Sequence, residues 1–142
     1  MKNNKYYRVY AEINLDAIVK NVDNLMALTK ENTGALAVVK ADGYGHGDVA
    51  VAKAVAQKVT GYAVATLDEA VNLRENGVKK PILVLGYVDP YEFDILVSHE
   101  ITATVFDVET AQLLADAARV QKKQAHCHIK VDTGMRRIGL EP

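Results

Sequence analysis

The sequence predicts an α/β protein built on a parallel sheet. Short apolar strands alternate with amphipathic helical stretches about every 20–25 residues, the rhythm of right-handed βαβ crossovers. The strands are near-continuous apolar runs bounded by loops, as expected where both faces are covered. This pattern alone does not separate a doubly wound sheet from a barrel.

In chain order, residues 1–6 read as a frayed polar terminus, and 7–14 alternate well enough for a strand. A helix is predicted over 15–30. Asn14 can cap it, and Leu15, Ile18, Val19, Val22, Leu25, Met26 and Leu28 form one apolar stripe. The polar break at 31–34 leads into a strand over 36–39. Further helices are predicted near 48–58, 67–76, 90–98 and 108–121. Gly77 stops the second of these and Asp107 caps the last. Strands fall at 62–66, 82–85, 102–105 and 125–131. Five strands result, with no internal repeat beyond the βα unit, no low-complexity segment and no linker.

Composition narrows the function. Apolar residues make up 49% and charged residues 25%, ordinary for a soluble globular chain, and 142 residues suffice for one core. A net charge of -1 with no basic block argues against nucleic acid and anionic membranes. No run of about 18 apolar residues suggests a membrane span, and the polar start lacks a signal peptide's apolar segment. Cys127 is the one cysteine, which excludes an internal disulfide and suits a reducing compartment, so the cytoplasm is expected. Cys127 is itself expected as a small buried hydrophobe. His126 and His128 share a face of the fifth strand, but no third ligand accompanies them and no metal is expected.

The most informative stretch is Val-Val-Lys-Ala-Asp-Gly-Tyr-Gly-His-Gly over 38–47. Lys40 ends a strand expected to be covered on both faces, where an unpaired ammonium costs several kcal/mol. A carboxylate partner, a depressed pKa or covalent use of the amine would each relieve that cost. A lysine that merely snorkels to solvent is the plain alternative. Gly43, Gly45 and Gly47 permit positive φ or close backbone approach. His46 is read as a structural loop histidine. A second stretch, Lys-Val-Asp-Thr-Gly-Met-Arg-Arg-Ile-Gly over 130–139, ends the fifth strand.

The 38–47 stretch closely resembles the pyridoxal-phosphate lysine motif of alanine racemases, and 130–139 resembles that family's second barrel motif. The two motifs cover about a seventh of the chain, their order and separation also match, and the resemblance runs from residue 6 to the end. It implies a partial (β/α)8 TIM-type barrel of about five parallel strands with flanking helices, truncated before closure. It also implies two regions: 1–14, a strand that joins a C-terminal β-domain in full-length relatives, and 15–142, a partial cofactor-binding barrel. Such a piece is expected to leave sheet edges open and to self-associate or be marginally stable.

By the same resemblance the cofactor is pyridoxal 5'-phosphate, joined to Lys40 as a Schiff base, and Lys40 doubles as one catalytic base. Tyr44 donates to the cofactor phosphate. Arg137 reaches the cofactor's phenolic oxygen and the substrate carboxylate, while Arg136 departs from many relatives and is given no role. Leu85 lines the cofactor pocket or serves as a core leucine. Lys130 is carbamylated in some relatives, with Asp132 as an alternative partner for the arginine. The implied reaction interconverts L- and D-alanine for peptidoglycan synthesis in a homodimer. There the second base, a tyrosine, comes from the C-terminal domain of the partner subunit, so the 142-residue chain alone is expected to be inactive. The alternatives are a serine or broad-specificity amino-acid racemase, a non-catalytic cofactor-binding barrel, and a structural half-barrel that binds nothing.

Overall fold

The computed structural model describes residues 9–142. The expected frayed terminus over 1–6 and the start of the expected strand over 7–14 lie outside that range. Within it, residues 9–14 form no strand: alternation supplies two faces, but a strand also needs a place in a sheet, and the sheet among the described residues consists of later strands alone. The first helix, α1 (Leu15–Met26), begins where expected, with the Asn14 side chain accepting the Ala17 N–H at 3.0 Å. It ends earlier than its apolar stripe suggests. Leu25 and Leu28 are exposed, so a further turn would bury little apolar surface.

Five parallel strands follow in sequential order: β1 (Leu36–Val38), β2 (Gly61–Val64), β3 (Ile82–Val84), β4 (Thr102–Val105) and β5 (His126–Ile129). Between β1 and β2 stand a one-turn element, α2 (Lys40–Gly45), and α3 (Asp48–Ala54). Helix α4 (Leu67–Glu75) joins β2 to β3, the single 3-10 turn Pro90–Glu92 with α5 (Phe93–Ser98) joins β3 to β4, and α6 (Val108–Val120) joins β4 to β5. Every strand pair is parallel and in chain order, as in a barrel wall, and the sheet is open with β1 and β5 at its edges.

The boundaries have identifiable causes. Thr66 and Glu69 form a capping box at the start of α4, and Gly77, at φ +89, ends that helix as predicted. Asp107 caps α6 by accepting the Thr110 N–H at 2.6 Å and its hydroxyl at 2.8 Å, contacts that hold its carboxyl below the ordinary carboxylate range.

The core lies between the sheet and its helices. Tyr62, Val64, Ile82, Val84, Ala103 and Val105 point outward onto Leu73, Phe93, Leu96 and Leu114. Each fully buried Val, Ile, Leu or Phe among them contributes about 1.5–3 kcal/mol. Tyr62 donates its hydroxyl to the Ala52 carbonyl at 2.6 Å, locking β2 to α3, and burial pushes its pKa up. Arg74 gathers the opposite end of the sheet, donating to the carbonyls of Val78, His99, Lys80 and Glu100 at 2.6–3.1 Å. Burial lowers its pKa, with the Glu100 carboxylate opposing.

Coverage of both faces holds only in the middle of the sheet. Strands β2 and β3 are buried throughout, whereas Leu36 and Val38 of β1 are each 42% exposed and all of β5 is exposed. Cys127 is accordingly exposed rather than buried, because no helix among the described residues follows β5 to lie over its outer face. That flank, with α6, leaves an apolar groove of about 330 Å³ lined by Val108, Ala111, Ala115, Ile129 and Leu140. No helix among the described residues is long and apolar enough to cross a membrane.

Candidate functional site

Parallel strands put all their C-terminal ends on one rim, which is where a βα fold assembles its chemistry. Lys40 follows β1, Leu85 follows β3 and Lys130 follows β5, so all three stand on that rim. Strand register assigns their face. Val38 pairs with Ala63, Ala63 with Leu83, and Thr104 with His128. The outward positions alternate with these, so Leu36, Val38, Ala63, Leu83, Leu85, His128 and Lys130 share the inner face, while Lys40 stands past Val39, whose ψ of 21° ends the extended backbone of β1.

Lys40 is half-buried rather than buried, since the inner face of edge strand β1 has no covering layer. It opens the turn over 40–45, and the hand of that turn is unusual. Ala41, Asp42, Gly43 and Tyr44 have φ of 50, 53, 61 and 57° with ψ between 37 and 54°, one continuous left-handed helical turn. Three of the four are not glycine. Left-handed helix costs about 1–2 kcal/mol per ordinary residue, Asp42 being the least penalised. Gly43 is needed beyond its φ of +61: a Cβ there would stand 3.2 Å from Asp48 N and 3.3 Å from Asp48 Cα. The turn brings Tyr44 back over the lysine, with Lys40 Nζ 6.0 Å from the ring centroid. Tyr44 is itself exposed, leaving its hydroxyl open to a ligand.

Sequence reading missed what holds this turn. Glu69 of α4 accepts the Ala41 N–H at 2.7 Å through Oε1, and the Ala65 N–H at 2.7 Å through Oε2. Asp42 accepts the Asp48 N–H at 3.0 Å, and Asn72 of α4 donates to Asp48 at 2.8 Å. His46, read as structural, has Nδ1 3.0 Å from the Gly43 carbonyl and 3.1 Å from that of Tyr44. The one available signal was Thr66-x-x-Glu69, a legible capping box that marks where Glu69 sits but not its second oxygen's target.

Lys130 and Arg137 stand at the other edge of the sheet. Residues 130–140 fold back on themselves: Val131 bridges Leu140, Asp132 N–H donates to the Leu140 carbonyl at 2.8 Å, and Leu140 N–H donates to that of Lys130 at 2.9 Å. Asp132 stabilises the loop from within, accepting the Gly134 and Arg136 N–H groups at 2.9 and 3.0 Å. These bonds and the nearby Lys130 charge hold its carboxyl below the ordinary range. It is therefore committed to backbone rather than to the Arg137 guanidinium, and no ion pair joins the two among the described residues. Arg137 is exposed and lines an open groove of about 950 Å³ with Asp132, Thr133, Ile138 and Glu141. Leu85 is half-buried between the two groups, its N–H donating to the Val64 carbonyl at 2.8 Å. Lys40 and Tyr44 come together, whereas Arg137 and Lys130 stand at the far edge of the sheet. No group of three or more His, Cys, Asp or Glu side chains among the described residues is placed to hold a metal.

A lysine ending the first strand, a left-handed turn behind it and an arginine loop after the fifth strand form a specific combination. The residue profile described as "Alanine racemase, N-terminal domain" matches residues 13–142. The chain belongs to the alanine racemase N-terminal domain family. It is 44% identical over 141 residues to alanine racemase 1 of Oceanobacillus iheyensis, covering 99% of this chain and 38% of that one. The alanine racemase of Clostridium difficile 630 superposes with a TM-score of 0.92 at 42% identity, over 96% of this chain and 36% of that one. The histidine racemase of Leuconostoc mesenteroides subsp. sake superposes at 0.82 with 30% identity, over 89% of this chain and 34% of that one. The chain thus spans well under half the length of these relatives. The superposition supports reading the open sheet as the first five strands of the alanine racemase barrel.

Proposed function

We propose that this chain is the lysine-bearing part of a pyridoxal-phosphate-dependent alanine racemase, acting on L- and D-alanine in supply of peptidoglycan. The observation carrying this reading is the Lys40 amine on the C-terminal rim, folded against Tyr44 by a strained turn, in a chain of the alanine racemase family. The residues suit the group. An amine with no ion-pair partner among the described residues is free to add to an aldehyde. Beside it stand an exposed phenol hydroxyl to donate to a phosphate and a glycine-rich turn open to close approach.

When bound, pyridoxal phosphate supplies an electron sink for the pair left as an amino acid loses its Cα proton. Lys40 would hold the cofactor through its amine, and that same nitrogen would take or return the substrate proton on one face. Tyr44 donates to the phosphate. Arg137 presents a two-toothed guanidinium to the substrate carboxylate, which fixes which face of Cα meets Lys40. Leu85 packs beside the ring. Lys130, if carbamylated, gains the negative charge that orients Arg137.

Inversion needs a second acid/base on the opposite face. We assign that role, by family resemblance, to a tyrosine of the C-terminal domain of a partner subunit in a homodimer. Residues 1–14 would join that same β-domain, and a cytoplasmic enzyme fits the reading. On its own the 142-residue chain should attach the cofactor and racemise nothing. A second reading, racemisation of another amino acid, is favoured by the likeness to a histidine racemase, since Arg137 recognises the carboxylate common to all amino acids.

The test is direct. The chain is incubated with pyridoxal phosphate, reduced with borohydride, and the adduct located by peptide mass. Label concentrated on Lys40 is expected. Label spread over surface lysines would refute the reading, and racemisation of alanine above a free-cofactor control would refute the inactivity of the chain alone.

A further inference from the structure

Glu69 is engaged beyond what a helix cap requires. Its Oε2 accepts the Ala65 N–H at 2.7 Å and the Thr66 N–H at 3.3 Å, which anchors the start of α4 to the end of β2. The cap has no use for Oε1. That oxygen crosses to Ala41, the residue directly after Lys40 and the first of the left-handed run, and accepts its N–H at 2.7 Å. Further along the run, the backbone supplies its own hold through Gly43 N–H to the Val39 carbonyl and Gly47 N–H to that of Asp42, each at 2.9 Å. Asn72, three residues on from Glu69, steadies Asp48, whose N–H holds Asp42. At the start of the run, Glu69 is the side chain that binds the Ala41 N–H.

A left-handed run with three non-glycine residues persists only where its surroundings over-determine it. We propose that Glu69 is a positioning residue for Lys40: one carboxylate ties the end of β2, the start of α4 and the lysine turn together, and so fixes the backbone from which the amine is aimed. This deepens, and rests on, the role given to Lys40 above. The chemistry of the group is specific. Both oxygens face N–H donors, and an amide offers one acceptor and one donor, so glutamine can satisfy only one side. It should retain the side with two donors, the cap, and release Ala41.

Two readouts test this without cofactor: hydrogen exchange of the Ala41 amide, and the pH profile of Lys40 acetylation relative to the other lysines. A third is the initial rate of borohydride-fixed pyridoxal phosphate labelling at Lys40. Glu69→Ala and Glu69→Gln should speed Ala41 exchange about tenfold or more, as expected for a lost bond to a charged acceptor. Both should change the Lys40 acetylation profile and slow its labelling. Thr66→Ala is the control. It removes the hydroxyl that accepts the Glu69 N–H at 3.4 Å but leaves the carboxylate in place, so it should weaken the helix and alter none of the three readouts. Wild-type exchange and acetylation in Glu69→Gln would overturn the proposal. So would a Thr66→Ala variant that reproduced the Glu69 effects in proportion to its loss of stability. An unlabelled Lys40 in the wild-type chain would defeat the functional reading, while exchange and acetylation would still decide the role of Glu69.

Discussion

Replacing Gly43 by alanine should destabilise the chain, against the usual sign for this substitution. At a compatible position Gly→Ala stabilises by about 0.4–1 kcal/mol, because it narrows the unfolded ensemble. Gly43 is not compatible. Its φ of +61° and ψ of 37° charge an alanine about 1–2 kcal/mol for left-handed geometry. The added methyl would also stand 3.2 Å from Asp48 N and 3.3 Å from Asp48 Cα, with Val51 Cγ2 at 3.7 Å. The first two are backbone atoms at the start of α3, which cannot swing aside as a side chain would, and such overpacking adds about 1 kcal/mol or more. The net expectation is a loss of about 1–3 kcal/mol. Gly45 provides the internal reference: its φ is +80°, but a methyl there meets nothing within 4 Å. Gly45→Ala should therefore cost about 1 kcal/mol or less. Urea unfolding at a common m-value measures both. If Gly43→Ala were as stable as Gly45→Ala, the start of α3 would be yielding freely, and the turn could not be the rigid support argued for Lys40.

Three further outcomes follow from the geometry. Lys40→Ala should eliminate the discrete borohydride-fixed adduct, leaving only diffuse label on surface lysines by peptide mass; a persistent single site elsewhere would relocate the chemistry. Leu73→Ala, at a fully buried position of α4, should lower unfolding free energy by about 2–5 kcal/mol in urea while the folded fraction still labels at Lys40. A loss of labelling in the folded protein would mean that the turn depends on core packing rather than on Glu69. Asp132 should titrate by NMR below the ordinary value of about 3.9. Because its folded pKa is depressed, its support of the 130–140 loop is fully present above that value and fades as pH falls through the folded midpoint. Gly134 and Arg136 amide protection should follow that fall and become flat in Asp132→Asn, whereas a midpoint at or above 3.9 would contradict the assignment.

How much of this was legible follows from where the information sits. Element order came from signals local to a few residues: the stripe of α1 under its Asn14 cap, Asp107 before α6, Gly77 after α4. The rim positions of Lys40, Leu85 and Lys130 were legible because each follows the end of a strand. What failed depends on partners distant in sequence. Residues 9–14 alternate, yet no neighbouring strand receives them. Leu36, Val38 and Cys127 have the composition of covered positions, and their exposure reflects the edges of an open sheet. The left-handed sense of 41–44 was hidden because glycine, the residue that announces positive φ, occupies only one of the four positions. The one side-chain bond to its first residue, Ala41, comes from Glu69, 28 residues on.

The separation of the two halves of the site is itself informative. Lys40 and the Arg137 loop follow the first and fifth strands, whose ends four strand spacings of about 4.8 Å put on the order of 19 Å apart along the sheet. A flat sheet would leave them unrelated. In an eight-stranded barrel the first and fifth strands face each other across the mouth, so curvature turns the largest separation along the wall into opposition across the axis. Direct contact between the two is then neither needed nor expected, since the space between them is where a ligand would sit, with the amine on one side and the guanidinium on the other. The demands on the two edges differ accordingly. Under the proposed function the lysine side would hold one nitrogen at a fixed angle to a reacting carbon, and it is the side with a strained turn anchored from α4. The arginine side would aim a two-toothed guanidinium, and it sits on a loop closed mainly by its own backbone and Asp132.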